Sequence, residues 1–109
     1  MDTDGTNVVA LVGLSNHDFA LIQSLAKLSE ARDRKYRIAE SKKRATADIF
    51  MVNGDDPFAM REAQNLVGQR SIAVIQVLKK LKEGLSAPHL VQPLVGKRVF
   101  QALDAVAVG

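Results

Sequence analysis

Cysteine is absent from the 109 residues. Thiol catalysis, disulfides and cysteine-based zinc sites are therefore excluded in one step. Histidine is nearly as scarce, with His17 and His89 far apart in the chain, so no histidine metal centre is expected. Aromatic residues make up only 5% of the chain, which leaves few side chains on which a nucleic-acid base could stack. Tyr36 and Phe100 are the two to consider, and both stand on apolar-periodic segments that predict core positions. No apolar run approaches the roughly 20 residues needed to cross a bilayer, and the acidic opening MDTDGTN lacks the positive stretch of a signal peptide. A cytoplasmic location without membrane contact is the expectation.

The residues present are those of an ordinary globular domain, 47% hydrophobic and 25% charged. The length suits one compact unit over 1–109, with residues 1–7 expected to be disordered. Net charge is +3, and the cations bunch at Lys42-Lys43-Arg44, at Lys79, Lys80 and Lys82, and at Lys97-Arg98. Such clusters read first as solvated loops and helix ends.

Val8-Val9-Ala10-Leu11-Val12, closed by Gly13, is a short unbroken apolar run, the pattern of a strand buried on both faces. Ser15, Asn16 or Asp18 can cap a helix whose apolar positions are Phe19, Ile22, Leu25, Ala26 and Leu28. Tyr36 and Ile38 alternate with Arg37 and Ala39, which predicts a less buried strand. A third strand, Ile49-Phe50-Met51-Val52, runs into the turn formers Asn53-Gly54-Asp55-Asp56-Pro57. Asp56 as cap, Pro57 in the first turn and Gly68 as stop frame a helix through Met60, Ala63, Leu66 and Val67. Ile72 to Leu78 reads as the fourth strand, Lys79 to Gly84 as one or two helical turns, and His89 to Pro93 as a short fifth strand. Val95, Val99, Phe100, Leu103 and Val106 define a final amphipathic helix. Strands at regular intervals with helices between them predict an α/β fold with a five-stranded parallel sheet.

The order of these elements resembles the receiver domain of bacterial response regulators over nearly the whole chain. DIFMVNGDDP (48–57) is similar to the family's third strand with its acceptor aspartate and following proline, and HLVQPL (89–94) to the last strand with its lysine–proline pair. The resemblance implies a flavodoxin-like receiver architecture, here with shortened second and fourth helices, and a cis peptide before Pro93. It also implies a degenerate phosphoacceptor site. Asn53 stands at the acceptor position, Gln92 at the lysine and Leu78 at the hydroxyl residue, while Asp18 is the one acid near the first loop. An amide is no phosphoryl nucleophile, and one carboxylate does not make a magnesium cluster. No enzyme activity, metal or cofactor is expected.

VALVGLSN (9–16) also resembles the start of the phosphate-binding loop of small GTPases, but Asp18, Phe19 and Ala20 replace the glycine, lysine and hydroxyl that the loop needs. Two binding roles then stand side by side. One is a protein-interaction module of bacterial two-component signal transduction, with Val99, Leu103 or Val106 on a partner or self-association face. The other is a domain for an anionic second messenger such as a cyclic dinucleotide, held by Arg44, Lys79, Lys80 and Lys82. No helix-turn-helix segment is present, so DNA binding is not expected.

Overall fold

A computed structural model describes residues 6–107. Five segments form strands: β1 (Asn7–Val12), β2 (Tyr36–Ile38), β3 (Ile49–Asn53), β4 (Ala73–Leu78) and β5 (His89–Val91). They join in one sheet of order β2-β1-β3-β4-β5, with every neighbouring pair parallel. This is the flavodoxin-like order. Its central strands are the unbroken apolar runs, because both of their faces are covered. Val9, Ala10 and Val12 of β1 and Ile49 to Val52 of β3 are wholly inaccessible to solvent. Asn7, placed by sequence before the ordered chain, instead opens β1 and donates from its backbone N–H to Lys35 O (2.9 Å). Thr6 is described as well and is half-buried, while residues 1–5 of the stretch expected to be disordered lie outside the described residues.

Three helices cover the sheet. Ser15 supplies the cap of α1 (Asn16–Leu28), its hydroxyl accepting from Asp18 N at 3.2 Å. The inner stripe of α1 is Asp18, Ile22 and Leu25, continued by Ser29. Phe19 and Leu28, expected on this face, fall at its margins and are 39% and 64% exposed. Asp56 caps α2 (Pro57–Val67) by accepting from Phe58 N at 2.9 Å, and Gly68 ends it at φ +62°. The last helix is α3 (Gly96–Val106).

α1 and α3 pack on one face, where Ile22, Leu25, Val99 and Leu103 meet Val9, Leu11, Met51, Ile75 and Val77. α2 covers the other through Ala59 and Ala63, small enough to bring the helix close to Val12, Phe50 and Val52. Val99 (0% exposed) and Leu103 (2%) are therefore core residues rather than the interface expected of them. α3 has one apolar stripe and spends it on the sheet and α1, and Val106 packs half-buried against the same cluster.

The second crossover, Ser41–Thr46, is a 3-10 helix of six residues. In the fourth, residues 79–88 form no helix, where one or two helical turns were expected. Gly84, at φ +77°, and Pro88 break that stretch before a helix could extend.

Two polar clusters secure the β2 side. Ser29, fully buried in a 3-10 turn after α1, accepts from Tyr36 N at 2.9 Å, and its own proton lies within reach of Ala26 O and Tyr36 O. Beside it, Asp104 of α3 accepts from the Tyr36 hydroxyl and from Arg32 Nη2 (2.7 Å), and Arg32 lies 4.1 Å over the Phe100 ring. Partial burial opposes ionisation of Asp104, but hydrogen bonds from Arg32 and Tyr36 and the charges of Arg32 and Arg34 outweigh it, holding the carboxyl below its ordinary 3.8. A lowered folded-state value means that the unfolded chain takes up the proton first. The contribution of Asp104 is thus complete above about pH 4 and disappears as pH falls through the folded-state value. In urea titrations the stability gap between wild type and Asp104→Asn is expected to be constant near neutrality and to narrow below pH 4. Curves that stay parallel through that range would show that the ion pair contributes nothing.

Candidate functional site

Open parallel sheets bind ligands beyond the carboxyl ends of their strands, where successive crossovers leave in opposite directions. β1 leads to β2 on one side and β3 to β4 on the other, so that point lies between Gly13 and Asn53. Neighbouring side chains approach the backbone closely on either side of it. Gly13 turns at φ +69°, and a Cβ there would lie 2.5 Å from the Ala59 methyl carbon of α2. On the β4 side, a Cβ on Gly54 would lie 2.6 Å from Leu78 Cδ2 and 2.7 Å from Gln76 Oε1. Leu78 is completely buried, and its side chain covers Gly54 with hydrocarbon.

Several polar groups at this edge bond within the protein. Asn53 Oδ1 accepts from Asp55 N at 3.0 Å, a side-chain turn that opens the loop before α2. The Asp55 carboxylate accepts from Lys79 N (2.8 Å) and stands 4.0 Å from Lys82 Nζ, which in turn donates to Gly54 O (3.3 Å). Asp18, only 4% exposed in the first turn of α1, accepts from Gln92 Nε2. Gln92 N donates to Leu78 O at 2.8 Å, and the peptide between Gln92 and Pro93 is cis. The structure thus joins three of the four residues read as a degenerate site, Asp18, Gln92 and Leu78, and sets Asn53 beside them at the neighbouring strand end. Gln92 brings a neutral amide donor to this point, and Leu78 a buried hydrocarbon side chain.

The basic residues do not converge on one point. Arg44, in the 3-10 helix, pairs with Glu62 of α2 at 2.8 Å and donates through Nε to Ser41 O. Lys79, Lys80 and Lys82 follow β4 and are exposed. His17 is exposed at the start of α1, and His89 Nδ1 lies 2.9 Å from Ala87 O. Among the described residues no group of three His, Cys, Asp or Glu side chains could hold a metal ion, and no helix is long and apolar enough to cross a membrane.

Gly13, Gly54 and Asp55 are the residues of this edge that sequence reasoning passed over. By sequence Gly13 reads as a strand end, and Asp55 as a turn former that lies beyond the strand even if the acceptor register is shifted by one residue. Their role depends on α2 and β4, which approach from elsewhere in the chain. No protein-family model matches this chain, and no curated protein matches it.

Proposed function

We propose that this chain is a receiver-like module that has given up phosphotransfer and acts by binding another protein in cytoplasmic signalling. The observation that carries the reading is the makeup of the switch point. At the edge where a sheet of this order would hold a phosphoryl group and its metal, α2 closes on Gly13, Leu78 covers Gly54, and Gln92 engages the buried Asp18 carboxylate. Phosphoryl acceptance needs a carboxylate nucleophile, a metal held by hard oxygens and a cation on the transferred group. Asn53, the lone Asp18 and Gln92 supply none of the three. The sheet and its helices then serve as a rigid platform for surfaces elsewhere.

Incubation with acetyl phosphate and magnesium is therefore expected to leave the intact mass unchanged. Asn53→Asp alone is expected to leave it unchanged as well, since it restores the nucleophile without the metal site or the cation. A stable single phosphoryl adduct on Asp55 or Asp56 of the natural chain would overturn the proposal.

A further inference from the structure

A parallel β4–β5 connection has to return from the carboxyl to the amino end of the sheet, and in fully covered sheets the return is a helix lying on one face. Residues 79–88 make this return without one. The consequence falls on the α2 face, because Val77 and Leu90 point into the opposite core while Val74 and Gln76 of β4 point toward α2 and are only half-buried. An apolar groove of about 270 Å³ remains there. Met60, Gln64 and Val67 form its wall on α2, at the i, i+4, i+7 spacing of one helical stripe, and Val74, Gln76 and Ala87 complete it.

We infer that this groove takes an amphipathic helix with acidic flanks from a partner protein, seated where the crossover helix would lie. The inference rests on the interaction-module reading and names the surface and partner chemistry. A helix fits better than a strand, because the groove floor is formed by β4, whose backbone already pairs with β3 and β5. Only side chains are offered, and two turns of α2 present them in a row for ridge-and-groove packing. Charge selects a partner over a second copy. Arg61, next to Met60 on α2, and Lys79 and Lys80, at the start of the loop that ends at Ala87, are exposed, with Glu83 as the acid of that loop; Glu62 is paired with Arg44, and Asp55 stands against Lys82. Two copies would bring these cations together, whereas glutamate or aspartate flanks would meet complementary charge. The Gln64 and Gln76 amides can pair with polar atoms along the helix edge.

Titration of the 15N-labelled chain with a synthetic helix of about 14 residues, about 21 Å long, tests this. The probe carries leucines at i, i+4, i+7 and i+11 with glutamate and alanine elsewhere, and the control carries lysine for glutamate. Saturable shifts are expected at Met60–Gly68, Val74–Gln76 and Ala87, with the lysine peptide bound about tenfold more weakly or worse. Replacing the exposed Gln64 by Glu should weaken the acidic peptide several-fold without disturbing the fold, and Gln64→Lys should strengthen it. Shifts centred on another surface would overturn the groove while leaving the binding module standing. Equal binding of both peptides, binding of neither, or a concentration-dependent dimer that protects these same amides would each overturn the inference. The phosphodonor result is independent of all these outcomes, so failure of the module reading would be seen separately.

Discussion

Leu103→Asp is expected to abolish the cooperative unfolding transition of the domain and most of its far-ultraviolet dichroism. Leu103 is 2% exposed and sits between α1 and the sheet. Removing a buried leucine costs about 2–5 kcal/mol through lost transfer energy and the cavity left behind. A carboxyl in its place adds a further cost of roughly 1–3 kcal/mol, because nothing in that apolar cluster can hydrogen-bond it. The sum is comparable with the whole stability of a domain this size, about 5–15 kcal/mol. Gln101→Asp, on the exposed side of the same helix, is expected to shift stability by no more than about 0.5 kcal/mol. A Leu103→Asp protein that melts like wild type would mean that α3 does not pack as described.

Gly13→Ala should be nearly as damaging, for two separable reasons. The left-handed backbone at φ +69° costs a residue with a Cβ about 1–2 kcal/mol. The new methyl would also lie 2.5 Å from the Ala59 methyl carbon, far inside contact distance. Forcing such an overlap in a packed site costs about 1–3 kcal/mol more, so a loss of about 2–5 kcal/mol is expected in denaturant titration. Ala59→Gly removes the overlap but not the backbone cost, and itself costs about 1 kcal/mol in a helix. The double variant should therefore be more stable than the sum of the two single losses predicts. Strict additivity would show that the two residues do not touch.

What was legible in the sequence follows from how each element is buried. β1 and β3 are covered on both faces, so their apolar runs are unbroken and their ends plain. Ser15, Asp56 with Pro57, and Gly68 mark helix ends through bonds that span two to four residues, and each of these signals holds. Periodicity gives the apolar side of a helix but not what covers it. Val99 and Leu103 could thus be read as an interface, and Phe19 and Leu28 as core. The candidate site depends on pairs far apart in the chain. Asp18 and Gln92 are 74 residues apart, as far as Arg32 and Asp104 (72) in the cluster beside β2, and no local pattern announces either bond. The absent crossover helix was half visible, since Gly84 and Pro88 limit it, but the groove it leaves depends on where α2 lies.

The Ser29 hydroxyl also limits how these molecules can polymerise. β2 and β5 are the outer strands, each with a neighbour on one side only. In a parallel pair alternate residues bond inward; Lys35 and Ala39 bond to β1, so Tyr36 and Ile38 direct their amides outward. Ser29 already holds the Tyr36 N–H, which leaves Ile38 alone to template an incoming strand. Fibre growth by strand addition requires two adhesive edges per molecule, one to receive and one to pass on. With one of its two outward amides held by a serine, the β2 edge gives an incoming strand little to bond to, and strand addition on that side is disfavoured.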